Sequence, residues 1–169
     1  SRGRHQSVPP AEQVGALALL LIRVVLISTY DLGRSPFGLA SPAAWLGAAG
    51  CEVRCCDLAV EPLDEAAVRA ADLVAFHLPM HTATRLAFRV IPRVRALAPG
   101  ARLAAYGLYA ATNAGALREA GVAHAIGGEF EAELTALAIG AAGVGAADGA
   151  GGGASASVPR RPPGTITSL

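Results

Sequence analysis

Apolar positions in this chain gather in five short runs, each followed by a stretch with helical spacing, with turn-forming and polar residues where the runs end. The runs are Arg23-Val24-Val25-Leu26-Ile27-Ser28, Glu52-Val53-Arg54-Cys55-Cys56, Leu73-Val74-Ala75-Phe76, Arg102-Leu103-Ala104-Ala105-Tyr106 and Val122-Ala123-His124-Ala125-Ile126. Strands that alternate with helices need crossover connections. The pattern therefore predicts a three-layer α/β/α domain with a five-stranded parallel sheet of order 2-1-3-4-5. In such sheets ligands sit outside the carboxyl ends of the strands, where the strand order reverses. Function is expected in Thr29 to Ser41, His77 to Arg85, Gly107 to Asn113 and Gly127 to Glu131.

The helix signals agree with this rhythm. Ser41-Pro42 reads as a cap and first-turn pair, with Gly50 ending a helix Pro42 to Ala49. Further helices are predicted from Asp64 to Ala70 and from Thr82 to Leu97, the latter losing one hydrogen bond and bending at Pro92. Another is predicted from Asn113 to Ala120, capped by Thr112 or Asn113 and closed by Gly121, and a last one after Gly127-Gly128. The predicted domain covers residues 21–138, after an N-terminal extension at 1–20. Residues 139–169, rich in Gly, Ala and Pro, read as a disordered tail because that composition buries too little apolar surface.

Composition narrows the function classes. The chain has 169 residues, with 14 basic and 13 acidic side chains. One core is expected, and no net field would gather a nucleic-acid backbone or an anionic membrane. Small neutral ligands and protein partners remain. The apolar stretch Ala16 to Ile27 is broken by Arg23 and is shorter than a membrane span, so it reads as a helix end entering a buried strand. Without a signal-peptide pattern, a cytoplasmic location is expected. The 3 cysteines, two of them adjacent at Cys55 and Cys56, suit neither a disulfide framework nor a four-ligand zinc site.

The loop Thr29-Tyr30-Asp31-Leu32-Gly33-Arg34-Ser35-Pro36-Phe37-Gly38 is long for a connector, and long loops at strand ends are commonly binding loops. It lacks the Gly-x-Gly-x-x-Gly spacing of a dinucleotide turn. Gly33 and Gly38 have the glycine spacing of a triphosphate loop, but no lysine follows them. His77-Leu78-Pro79-Met80-His81 sets two imidazoles near the third strand end without a clear third metal ligand, so a hydrogen-bonding role for His77 or His81 is the simpler expectation. Tyr106-Gly107-Leu108-Tyr109 ends the fourth strand, and Gly107 permits a close backbone approach or serves as an ordinary turn glycine. Gly127-Gly128-Glu129-Phe130-Glu131 ends the fifth, where backbone N–H groups can face a ligand or the acidic residues can complement a helix start. No Gly-x-Ser-x-Gly elbow is present, so catalysis by this domain alone is not indicated.

Three segments, Leu26-Ile27-Ser28-Thr29-Tyr30-Asp31-Leu32-Gly33, Asp72-Leu73-Val74-Ala75-Phe76-His77-Leu78 and Gly127-Gly128-Glu129-Phe130-Glu131-Ala132-Glu133-Leu134, resemble the cobalamin-binding domain that precedes the catalytic domain of cobalamin-dependent radical S-adenosylmethionine (SAM) enzymes. The resemblance spans about Arg23 to Ala138. It implies a corrinoid across the carboxyl edge of the sheet, with the nucleotide tail entering between sheet and helices. The loop Tyr30 to Gly38, with Thr29, Tyr30, Asp31 and Gly33 foremost, would meet ring or tail, and His77 to Met80, with His77 and Leu78 foremost, would line the tail's entrance. Tyr106 and Gly107 would stand at the family's Gly-Gly turn, with Tyr106 replacing the first glycine. Gly127, Gly128 and Glu129 would flank the nucleotide.

Many cobalamin carriers place Asp-x-His-x-x-Gly after the first strand, with the histidine on cobalt. Here Asp31 is followed by Leu32 and Gly33, which implies a cobalt without a protein histidine. The Cys-x3-Cys-x2-Cys motif that holds the family's iron–sulfur cluster is also absent. The chain is therefore expected to bind rather than catalyse, as a piece of a longer radical SAM protein or as a free-standing module with a protein partner. A flavodoxin-like or nucleotide-binding domain, and a ligand-free interaction domain, share the same strand pattern. A phosphoacceptor receiver domain is disfavoured, since only Asp31 of its acidic and lysine set is present.

Overall fold

The structure, a computed structural model, describes residues 21–32 and 36–140. Its strands are β1 (Arg23–Ser28), β2 (Glu52–Asp57), β3 (Leu73–His77), β4 (Arg102–Tyr106) and β5 (His124–Ile126). Its helices are α1 (Phe37–Ala48), α2 (Glu65–Ala70), α3 (His81–Leu97), α4 (Leu108–Thr112), α5 (Ala114–Glu119) and α6 (Glu131–Gly140). All strand pairs are parallel and the order is β2-β1-β3-β4-β5, the architecture the sequence predicts. The chain leaves β1 toward β2 on one side and returns to β3 on the other. Order thus reverses at β1, and the crevice between β1 and β3 opens at their carboxyl ends.

Alternation along the strands builds two cores. Val25, Ile27, Val74 and Phe76 pack with Val68 of α2, Ile91 and Val94 of α3, and Leu117 of α5. Val24, Leu26, Leu73, Ala75 and Ala104 pack with Leu39 and Leu46 of α1 and with Leu134 and Ala138 of α6. Helices therefore cover both faces, which is why β1 and β3 are nearly continuous apolar runs. At the sheet edge, β2 carries Arg54, which pairs with Glu61 and Asp64, both at 3.0 Å. Charge on an edge strand discourages pairing with another chain.

Local chemistry corrects several boundaries. The first helix begins at Phe37, so Ser41 and Pro42 lie inside it rather than at its start. Pro42 has no N–H to offer the Gly38 carbonyl one turn earlier, and that carbonyl instead accepts the Tyr106 hydroxyl at 2.7 Å. A tertiary hydrogen bond replaces the missing helical one.

The helix predicted from Asn113 to Ala120 is two short helices broken at Asn113. The Asn113 side chain does not cap the second of them. Its Nδ2 donates to the Tyr109 carbonyl of the first at 2.7 Å. The fifth strand is shorter than predicted because Val122 N–H is taken by the Leu117 carbonyl and Gly121 N–H by that of Arg118, a Schellman closure of α5. The third strand runs one residue further, through His77, and α6 extends through Gly140, two residues into the predicted tail. Residues 1–20, Gly33 and the tail from 141 lie outside the described residues.

Candidate functional site

Parallel pairing sets Ser28 beside His77 and His77 beside Tyr106, one in-register row across the carboxyl ends of β1, β3 and β4. Residues two apart share a face, so Ser28 follows Val24 and Leu26, and His77 follows Leu73 and Ala75, toward α1 and α6. The His77 and Tyr106 rings lie 5.3 Å apart, and Phe130 stacks obliquely on Tyr106 at 4.8 Å and near His77 at 6.2 Å. Gly38 closes the cluster. A Cβ there would sit 2.0 Å from the His77 ring, so the imidazole occupies the space that any other residue at 38 would fill.

Two polar atoms in this row are buried without a hydrogen-bond partner among the described residues, Ser28 Oγ and His77 Nδ1. An orphaned buried polar atom costs about 1–3 kcal/mol, and two of them stand here in adjacent register positions. Burial pushes the His77 pKa down, with the Asp31 carboxylate pulling weakly the other way, so the imidazole is neutral at physiological pH. Burial likewise pushes the Tyr106 phenol well up, keeping its proton on the bond to Gly38. The row offers neutral donors, neutral acceptors and aromatic faces.

The remaining predicted residues are placed as follows. Thr29 is buried and its Oγ1 donates to the Ala83 carbonyl at 2.8 Å, which ties the β1 loop to α3. Tyr30 and Asp31 are half-buried at the loop start, and Leu32 projects to solvent with a left-handed φ of 48°. Leu78 belongs to the opposite core, under α3, and its carbonyl accepts the Tyr109 N–H. Gly107 has a φ of 106°, and a Cβ there would approach the Leu78 carbonyl oxygen to 3.0 Å, so the turn itself requires glycine. Gly127 meets the Ala111 methyl, Gly128 takes a φ of 66° in open space, and Glu129 is exposed. β5 stands three strands from β1, about 14 Å at ordinary strand spacing. Thr29 to Asp31 and Gly127 to Glu129 thus flank the two sides of an edge wide enough for a large ring.

Ser28, Gly38 and Phe130 complete the cluster; Gly38 ends the loop expected to meet a ligand, whereas Ser28 and Phe130 were not among the predicted contacts. Each had a signal. Ser28 is a hydroxyl at the end of an apolar strand, Gly38 stands four residues before a helical proline, and Phe130 is the one apolar residue in Glu129-Phe130-Glu131.

No group of three or more His, Cys, Asp or Glu side chains is placed to hold a metal among the described residues. Burial pushes the thiols of Cys51, Cys55 and Cys56 up, so they stay protonated and act as core side chains. A concavity of about 620 Å³ lies at the opposite, amino edge, lined by Arg23, Arg69, Asp72, Gly100 and Arg102. It faces the carboxyl ends of α2 and α3, whose exposed carbonyls repel anions, while Arg23 and Arg69 already pair with Glu52 and Glu65. Its arginines serve the fold. No protein-family model matches the chain, and no curated protein shows significant similarity to it. Among the described residues no helix is long and apolar enough to cross a membrane.

Proposed function

We propose that this domain binds a corrinoid at the carboxyl edge of its sheet, as the resemblance of its strand-end segments implies. The observation that carries the proposal is the Ser28–His77–Tyr106 row at the point of order reversal, with two buried polar atoms that have no partner among the described residues. The chemistry of this edge favours a bulky, largely uncharged ligand with amide and aromatic groups over a polyphosphate. Its histidine is neutral and the sequence contains no lysine. A corrinoid is such a ligand, with amide side chains on its ring and an aromatic base on its tail.

Tyr30, Asp31 and Glu129 would border the ligand, and the buried row of Ser28, His77 and Tyr106, with Phe130, would form the floor beneath it. Bound cobalamin supplies a cobalt centre able to carry an alkyl group or an electron. The chain's own residues bind, orient and exclude water. His77 is an unsuitable cobalt ligand, because its ring is enclosed by Gly38, Tyr106 and Phe130. The reading therefore includes cobalt without protein histidine, and a cluster-bearing domain or partner protein for any radical chemistry.

Titration with hydroxocobalamin tests this. Saturable change in the visible spectrum, with corrinoid retained through gel filtration, is the expected outcome. The Co(II) form should show an electron paramagnetic resonance spectrum without nitrogen superhyperfine splitting. A colourless protein after gel filtration refutes the proposal, and flavin retained in a parallel titration favours the flavodoxin-like alternative.

A further inference from the structure

α3 seats Ala83, Thr84, Ala87, Ile91 and Val94 in the core, and its outward side carries Arg85, Arg89 and Arg93 at successive turns. None of its 17 residues is acidic. Like charges four residues apart weaken a helix, and a surface helix gains when carboxylates alternate with them. Here only the far end is compensated, by Glu65 of α2, which pairs with Arg93. Arg23, Arg54 and Arg69 pair with carboxylates as well, and Arg95 and Arg102 donate to backbone carbonyls. Arg85 and Arg89 are exposed and make no ion pair among the described residues. Together with Thr82 and Leu86 they frame a shallow, mostly apolar concavity of about 230 Å³ on the outer surface of the helix.

We propose that this face of α3 docks an acidic, amphipathic segment of a partner protein. Two carboxylates one helical turn apart take Arg85 and Arg89, and an aliphatic side chain between them enters the concavity. Both cations are arginine, whose planar fork holds a carboxylate through two parallel hydrogen bonds. Spacing of four residues sets them about 6 Å apart along the axis, the repeat that one face of a partner helix presents. The concavity is smaller than the roughly 300–1,000 Å³ of small-molecule sites and suits a single side chain.

Other polyanions fit this face less well. A nucleic-acid backbone is held by several cations acting together, and two arginines beside an apolar concavity supply little of that. An anionic membrane would also take a large apolar side chain among its headgroups. Among the described residues the exposed large apolar side chains, Leu32, Phe37, Trp45, Val60 and Leu108 among them, all lie off α3. The amino end of the stripe adjoins the carboxyl edge of the sheet, since the Thr29 hydroxyl donates to the Ala83 carbonyl. A partner seated on α3 therefore borders the β1 loop.

An NMR titration of the full chain, isotope-labelled at its amides and free of corrinoid, tests this independently of the ligand reading above. The probe is a synthetic helical peptide with Glu at every fourth position and Leu between, and its control carries Gln for each Glu. Saturable shifts at Thr82, Arg85, Leu86 and Arg89 are expected, with the Gln peptide bound about tenfold more weakly. Arg85→Glu combined with Arg89→Glu should abolish the shifts. Arg118→Glu, which reverses an exposed arginine on α5, should leave them unchanged. Equal binding of the two peptides, shifts centred elsewhere, an equal loss in Arg118→Glu, or no shift at all overturns the inference. Vesicles containing phosphatidylserine, or a short DNA duplex, that move these amides where the Glu peptide does not assign the stripe to a membrane or to nucleic acid and overturn it too. If the double variant does not fold, the shift map of the unsubstituted chain with the two peptides decides.

Discussion

Replacing Gly38 by alanine adds one methyl group at the most crowded point of the carboxyl edge. The new Cβ would lie 2.0 Å from His77 Cε1 and 2.5 Å from Nδ1. Carbon atoms in contact sit about 3.5 Å or more apart, so ring or helix must move by roughly 1.5 Å. The ring cannot slide freely, because Tyr106 and Phe130 hold it on other sides. Moving the helix instead pulls the Gly38 carbonyl from the Tyr106 hydroxyl, leaving a buried donor unpaired.

Overpacking of this kind costs about 1–3 kcal/mol, and the lost bond about 1–3 kcal/mol more, while alanine returns about 1 kcal/mol of helix propensity. The expected net loss is about 3 kcal/mol, a large part of the stability of a domain this size. Urea melts should show a lower midpoint at unchanged slope. Adding His77→Ala to Gly38→Ala removes the ring that the methyl strikes, so the two substitutions should couple favourably by about 1–3 kcal/mol. A Gly38→Ala protein within about 0.5 kcal/mol of the parent, or strict additivity of the pair, would refute the packing described here.

Tyr106→Phe keeps the ring and removes the hydroxyl, so it should cost about 1–2 kcal/mol in thermal melts, with the Gly38 carbonyl left unpaired. Gly107→Ala must adopt a φ of 106° and approach the Leu78 carbonyl, so it should lose about 1–3 kcal/mol in the ligand-free protein. Any loss of cobalamin affinity in that variant should then follow its loss of stability, and an intact melt with weakened binding would show that Gly107 contacts ligand directly. The folded-state pKa of His77 is lowered from the ordinary 6.5 by burial, so its contribution to stability is present above that value and is lost as pH falls toward the folded pKa. Between neutral and mildly acidic pH the parent should therefore lose more stability than His77→Phe, and parallel pH profiles in denaturant melts would contradict the neutral buried imidazole.

Strand number, direction and order were legible in the sequence because each rests on a repeated physical signal. Apolar runs buried on both faces mark parallel strands, and handed crossovers leave few orders for a chain that alternates strand and helix. Boundaries were less legible where a tertiary contact outweighed a local signal. Ser41-Pro42 has the chemistry of a helix start, yet α1 begins at Phe37 because the carbonyl that Pro42 leaves free is satisfied by Tyr106, 68 residues away in sequence. Nothing local to Pro42 announces that partner. Asn113 likewise reads as a cap in either direction, and only the turn around Tyr109 selects the carbonyl it serves.

The candidate site divides along the same line. His77 and Tyr106 stood out as polar or aromatic residues at strand ends, but whether they meet depends on register, which sequence spacing alone does not set. Pairing puts them side by side and gives Ser28 a place next to them. Leu78, one residue beyond His77, illustrates the consequence of a period of two, since it turns to the other face and joins the core under α3. Gly38 shows the converse case, where the absence of a side chain is itself what the packing requires. The His77 ring fills the gap left at Gly38, the Gly38 carbonyl fixes Tyr106, and Pro42 frees that carbonyl for the task. Two residues of α1, Gly38 and Pro42, thus hold His77 and Tyr106 at the ends of two strands, so the arrangement of this edge is coupled to the seating of α1.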